Sequence, residues 1–253
     1  MNLQSLWRYP VKGLQGESLS HVDIAAGKPI PFDRCFALAH GDSDISSNAP
    51  MWALKTSFHM LMHKGDRRLA ALKPLYDEKT GCLTIYCDGK EVLKESVLDA
   101  EFGPLVEQFF ADYLVADCPT GLPKLAHSQS VRFGNIEEPV ISLINLASVR
   151  DISRAVGQDV DAARFRGNFV TDGGEPWVER QWVGRTIKVS GIRFSVHDET
   201  IRCGATLVNP TTFERDLNIP QLLHQHFGHL YCGIYLIAAD DGAVAVGNEI
   251  TIE

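Results

Sequence analysis

Apolar residues in this chain come in strand-length stretches, each closed off by glycine, proline or polar turn residues. In the first hundred residues they are Leu3–Tyr9, His21–Ile24, Cys35–Ala39, Leu69–Leu72 and Leu83–Tyr86. About four to eight residues suit a strand and are too few for an ordinary helix. The pattern resumes after Phe165 with Asn168–Thr171, Thr186–Val189, Ile192–Val196, Tyr231–Ala238 and Ala243–Ile252, punctuated by Gly184, Gly191 and Gly242. The stretches 183–189 and 244–252 each read as a strand pair bent at a glycine, as barrels require. Three helices interrupt the strands. Pro104–Leu114 carries an apolar stripe of Leu105, Val106, Phe109, Phe110 and Leu114. A second helix starts at the N-cap Asn145, presents Leu146, Val149, Ile152 and Val156, and ends at Gly157; a short third lies near Pro220–Phe227. The expected fold is mainly β: a β-barrel with an N-terminal β-barrel-like lobe and a few covering α-helices.

Residues 115–140 hold Pro119, Gly121, Pro123, Gly134 and Pro139, so they read as the crossing between lobes 1–118 and 119–253. A net charge of −8 argues against sequence-independent binding to nucleic acid. It leaves room for an anionic small ligand where basic residues gather. No apolar run approaches the roughly 20 residues of a membrane span, and the N-terminus lacks a signal pattern, so no membrane association and a cytoplasmic location are expected. Six cysteines (Cys35, Cys82, Cys87, Cys118, Cys203, Cys232) form no C-x-x-C pair and are expected to be mostly free and buried. Cys82 and Cys87 stand five apart on a predicted strand, facing opposite sides, which disfavours a shared metal. No glycine-rich nucleotide-binding pattern follows any strand.

The chemistry points to Ile201-Arg202-Cys203-Gly204-Ala205-Thr206-Leu207-Val208-Asn209-Pro210. A thiol next to a guanidinium is biased toward thiolate, the form that attacks electrophiles and binds soft metals. Three other segments belong with it: Tyr9-Pro10-Val11-Lys12-Gly13, then Phe32-Asp33-Arg34-Cys35-Phe36, then Arg164-Phe165-Arg166-Gly167-Asn168. In this order they resemble the MOSC family, the molybdenum-cofactor sulfurase C-terminal domain proteins with their N-terminal β-barrel domain. The likeness is to the amidoxime-reducing component and its bacterial relatives, and it covers nearly the whole chain.

The resemblance implies a molybdenum cofactor of the molybdopterin type, held between two lobes, with Cys203 as the catalytic thiolate and metal ligand. Lys12, Gly13, Arg34 and Arg166 correspond to cofactor-binding positions, with Asn168 and Thr206 as neighbours. Lysine and arginine suit phosphate: one is a point charge, the other a fork of donors. The implied activity is reduction of an N-oxygenated small-molecule substrate. The chain stops at Glu253 without an iron–sulfur domain, so an external electron-donor protein of ferredoxin or flavin type is expected. Two alternatives stand beside it. Cys203 carries a persulfide as a sulfur carrier or cofactor sulfurtransferase, or the chain is a non-catalytic cofactor-binding module. Pyridoxal phosphate, associated with larger sulfurases, is not expected, because no lysine sits in a Schiff-base context.

The chain departs from the family pattern at Gly13, where serine is usual, at Gly204-Ala205, at Asn209 in place of aspartate, and across Met51–Thr56. Residues outside the pattern read more plainly. His224, His226 and His229 lack the spacing for three ligands on one helix face. His59 and His63 lack the glutamate of a metalloprotease helix. Trp177 and Trp182 read as core or rim packing, and Asp198-Glu199 as an exposed acidic turn.

Overall fold

The computed structural model describes residues 1–46, 50–63, 65–114 and 121–253. Cys118 and the boundary drawn between residues 118 and 119 lie outside the described residues. The chain begins with β1 (Asn2–Arg8), β2 (Glu17–Leu19), β3 (His21–Ile24), β4 (Phe36–Ala39), β5 (Leu72–Asp77), β6 (Cys82–Cys87), β7 (Lys90–Ser96) and α1 (Phe102–Leu114). Then follow β8 (Lys124–His127), β9 (Ile141–Asn145), α2 (Leu146–Val156), β10 (Phe169–Asp172), β11 (Thr186–Val189) and β12 (Ile192–Ile201). The last elements are α3 (Ile219–Phe227), β13 (Tyr231–Ala238), β14 (Gly242–Ala245) and β15 (Ile250–Ile252). The fold is mainly β. It divides into two compact units that interleave in sequence: Met1–Arg8 with Ser18–Pro31 and Glu138–Glu253, and Tyr9–Glu17 with Phe32–Glu137.

The first unit is organised on the sheet ordered β15-β11-β12-β13-β9-β10-β1-β2. All its pairings given by register are antiparallel except β9 with β10. The sheet curls back on itself. A bridge pairs Asn2 with Glu249, Leu3 N–H donates to Asn248 O at 2.9 Å, and Ile250 N–H donates to Met1 O at 2.7 Å. These bonds tie β1 to the chain entering β15. Residues of period two fill the interior: Ile192, Phe194 and Val196 from β12, Ile234, Leu236 and Ala238 from β13, with Leu3, Leu6, Phe169 and Trp182. Each large apolar side chain so buried contributes roughly 1.5–3 kcal/mol.

The second unit pairs β4 with β8 and stacks β5, β6 and β7 as an antiparallel meander. Ala37, Ala39, Phe58, Ala126 and Phe133 form one of its cores. Three local readings change here and in the first unit. Leu69–Ala71, expected as strand, lies in a 3-10 helix over Gly65–Ala71, and β5 begins at Leu72; a short apolar run does not distinguish the two by period. Helix α1 starts at Phe102, which is buried, while Leu105 of the expected stripe is 45% exposed. Strand β12 runs through Asp198 and Glu199 to Ile201, so that pair lies on a strand and not in a turn.

Candidate functional site

Strand β12 delivers Cys203. After Ile201 the backbone stays extended through Cys203 (φ −127°, ψ 179°) and then tightens into a 3-10 turn over Gly204–Leu207. The turn is held from inside. Cys203 O accepts from Thr206 N–H at 3.0 Å and from the Thr206 hydroxyl at 2.9 Å. Thr206 therefore braces the loop that carries the thiol. The Cys203 side chain makes no cap bond to the turn. It is half-buried and in no disulfide.

Alternation along the extended chain sends Arg202 inward. It is 8% exposed, its Nε donates to Cys232 O at 2.7 Å and its Nη1 to Phe165 O at 2.8 Å, and Nη2 also donates to Cys232 O. The guanidinium lies 5.3 Å from the Phe165 ring centroid. These hydrogen bonds bind β13 to the 162–165 turn. Arg164, not singled out from sequence, is a second strut. It is 4% exposed, donates to Leu207 O at 3.2 Å, and pairs with Asp216 at 2.7 Å. Asn209 explains one departure from the family pattern. Its Oδ1 accepts from Thr211 and Thr212 N–H, forming the expected turn, and its Nδ2 donates to Asp216 at 2.6 Å. An aspartate there would set carboxylate against carboxylate.

Arg166 ends the 3-10 helix over Ala162–Phe165 in the left-handed region, φ 53°, and is half-buried. A non-glycine residue there is uncommon, and such positions cluster at functional sites. Two residues on, Asn168 is fully buried. Its Oδ1 accepts from Ser142 N–H and Oγ at 3.1 and 2.9 Å, and its Nδ2 donates to Trp7 O at 3.1 Å. Asn168 thus clamps β9 to β1.

Lys12, Gly13 and Arg34 belong to the second unit. Lys12 is no solvated turn residue: it is 5% exposed, with Nζ donating to Phe133 O at 2.7 Å and Gly134 O at 3.1 Å, 5.3 Å from the Phe58 ring centroid. Gly13 has φ +90°, and a Cβ there would meet His59 O at 3.4 Å; the backbone, more than the space, favours glycine over the usual serine. Arg34 also sits in the left-handed region, φ 55°, its guanidinium 4.7 Å from the Tyr9 ring centroid and paired with Asp33. Burial pushes the Asp33 carboxyl up, but Arg34, Arg132 and the Tyr9 N–H together hold it below the ordinary aspartate range.

The remaining candidates separate cleanly. Trp182 is core, while Trp177 is half-buried at φ 68°, its indole donating to Asp151 at 2.7 Å. His224 and His226 are exposed, and His229 packs among Trp177, Phe227 and Tyr231. Glu199 pairs with Arg180. His59 accepts or donates at both nitrogens, 3.1 Å from Asp66 and 3.3 Å from His40. Among the described residues no three His, Cys, Asp or Glu side chains converge as metal ligands. None of the described helices is long and apolar enough to cross a membrane.

A curled sheet with a half-buried thiol on the turn after its longest strand, and arginines in left-handed backbone conformations, defines a mainly β, thiol-bearing barrel protein. The chain belongs to the MOSC family: residues 1–115 match the MOSC N-terminal beta barrel domain and residues 128–251 the MOSC domain. It is 23% identical over 188 residues to a molybdenum cofactor sulfurase of Drosophila willistoni, a match spanning 72% of this chain but 23% of that protein. The YuaD protein of Bacillus subtilis is 13% identical, with a TM-score of 0.43 over 98% of this chain and 93% of that one. YiiM of Geobacillus stearothermophilus is 15% identical, with a TM-score of 0.35 over 45% and 53%.

Proposed function

We propose that this protein binds a molybdopterin-type cofactor, with Cys203 as its ligand to the metal, and reduces a small N-oxygenated substrate. One observation carries the reading. Cys203 is presented on an internally braced turn, and its thiol makes no hydrogen bond among the described residues. The donor set suits the group: one soft sulfur for the metal, and Lys12, Arg34 and Arg166 for the anionic pterin and phosphate. When bound, the cofactor supplies two-electron chemistry that side chains lack. The protein's part is binding and orientation. Thr206 fixes the Cys203 carbonyl, Arg164 holds the Leu207 carbonyl at the end of the turn, Arg202 ties Cys232 to Phe165, and Asn168 clamps the strands next to Arg166 in sequence. An external electron-donor protein of ferredoxin or flavin type returns the electrons.

The sulfurase name of the Drosophila willistoni relative favours a second reading, in which Cys203 carries a persulfide sulfur. This chain spans less than a quarter of that protein, so its activity enters only as this alternative. Purification from a host that makes the cofactor decides between them. The first reading expects close to one molybdenum and one pterin per chain, both lost in Cys203→Ala. A chain without metal but with a sulfane-sulfur adduct on Cys203 establishes the second. Metal retained without turnover of any N-hydroxylated compound, given an artificial donor, leaves a cofactor-binding module.

A further inference from the structure

We propose that Arg132 is a third cation for a phosphate group, acting beside Lys12 and Arg34, and that Asp33 is the post on which both guanidinium groups are aimed. The proposal rests on the cofactor reading above for the identity of the phosphate, but its geometry lies wholly within the second unit.

Asp33 is 3% exposed. Its Oδ1 accepts from Tyr9 N–H at 3.0 Å, and its Oδ2 accepts from Arg34 Nη1 and from Arg132 Nε at 2.9 Å. Two guanidinium groups thus meet on a single carboxylate oxygen, with side chains only 12% and 7% exposed. One cation is enough to pair a buried carboxylate, and a second alongside it introduces like-charge repulsion at low dielectric. Such crowding is useful where an oxyanion is bound: two planar forks fixed side by side offer donors in the pattern phosphate accepts.

The loop carrying Arg132 ties all three cations together. Phe133 N–H donates to Arg34 O at 2.9 Å, and the carbonyls of Phe133 and Gly134 receive the Lys12 ammonium. Arg34 N–H in turn donates to Tyr9 O at 2.6 Å, which holds the left-handed backbone at Arg34. Gly134 gives Arg132 its room: a Cβ at Gly134 would lie 2.0 Å from Arg132 Nη1. The cations are therefore pre-set rather than gathered by a ligand, which lowers the ordering cost of binding. Ninety-nine positions separate Arg132 from Asp33, so nothing in the local sequence joins them.

The test uses the full chain in two measurements. The first is the rise in melting temperature produced by inorganic phosphate, each variant compared with its own phosphate-free value. The second is pterin retained per chain. Arg132→Gln is expected to weaken phosphate binding by about tenfold or more, the loss of a charge-assisted donor; Arg132→Lys is expected to recover part of it. Should Arg132→Gln fold poorly, Gly134→Ala displaces the guanidinium while keeping its charge, and it too is expected to weaken phosphate binding. Equal phosphate shifts in wild type, Arg132→Gln and Gly134→Ala would overturn the proposal and reduce Arg132 to a structural partner of Asp33. An Arg132-dependent phosphate shift in a chain that never retains pterin would keep the anion site and remove the cofactor reading instead.

Discussion

At the scale of single residues, the fate of each thiol follows from where alternation sends it. Cys203 and Cys232 lie in the same unit, yet Cys232 is fully buried and burial pushes its thiol up to about 12, against a smaller opposing pull from Arg202. Cys35 is buried too, while Cys82, Cys87 and Cys203 are half-buried. Brief alkylation of the native protein, read by peptide mass spectrometry, is therefore expected to spare Cys35 and Cys232 and to label Cys203. Protection of Cys203 in a chain lacking cofactor would contradict this placement. The neighbouring Arg202 makes a second expectation. Removing its side chain leaves the carbonyls of Cys232 and Phe165 buried without that donor, so Arg202→Ala is expected to cost roughly 2–5 kcal/mol in denaturant melts. Loss below 1 kcal/mol would mean that water replaces the guanidinium at once. The motif around Cys203 was legible in the sequence. That the Arg202 side chain would reach the Cys232 carbonyl of β13 was not, because one residue along an extended chain reverses the direction of a side chain.

At the scale of elements, caps were the most legible features and packing stripes less so. Asn145 was readable as an N-cap and Gly157 as a terminator. In the structure Asn145 Oδ1 accepts from Ala147 N–H at 3.0 Å, and Gly157 takes φ 72°. Not legible was the second use of Asn145, whose Nδ2 donates to the buried Glu179 at 3.1 Å. Burial, outweighing the bonds from Ser148 and Asn145, raises the Glu179 carboxyl above its ordinary value. Aspartate caps a helix about as well as asparagine in general. Here Asn145→Asp is expected to destabilise the protein by more than Asn145→Ala, whose cap loss is about 1 kcal/mol, because it sets a second carboxylate against Glu179. Equal losses in the two variants would count against a charged Glu179. The bridge of Ala39 to Phe58 likewise places His40 and His59 as diagonal neighbours. With Asp66 accepting from His59 Nδ1, the His59 Nε2 is placed to accept from His40 Nδ1. Nitrogen-15 imidazole spectra are expected to show the corresponding Nδ1–H tautomer for both rings, and Asp66→Asn is expected to disturb it.

At the scale of the whole molecule, the two units answer pH differently. In the second unit, burial lowers His127 below the ordinary histidine value. His40 is lowered as well, by burial first and then by His59 and His63, against the opposing pull of Asp66 and Asp42. A group bound less tightly by protons when folded contributes stability that is intact above its ordinary value, about 6.5, and lost as pH falls through the folded value. Asp33 has the same sign at more acid pH. In the first unit the half-buried His229 shares that sign, whereas Glu179, raised, is stabilised by acid. Hydrogen exchange, corrected for intrinsic rates, is thus expected to rise more in Phe32–Glu137 than in Glu138–Glu253 between about pH 7.5 and 5.5. Replacing His127 with phenylalanine should blunt that rise, and a larger rise in the first unit would reverse the assignment.

Strand-length apolar runs, glycine and proline punctuation, and four short motifs in order were enough to specify a mainly β chain and its family, since each is a local pattern of period, turn chemistry or spacing. Tertiary structure alone decided that β1 joins the C-terminal sheet, that Arg202 and Asn168 act as internal clamps, and that Arg132 meets Arg34 on Asp33. Those pairings join residues 99 positions apart, as Arg132 and Asp33 are, or 161 apart, as Asn168 and Trp7 are, and contact across such distance depends on how the whole chain buries its apolar faces, which no local pattern records.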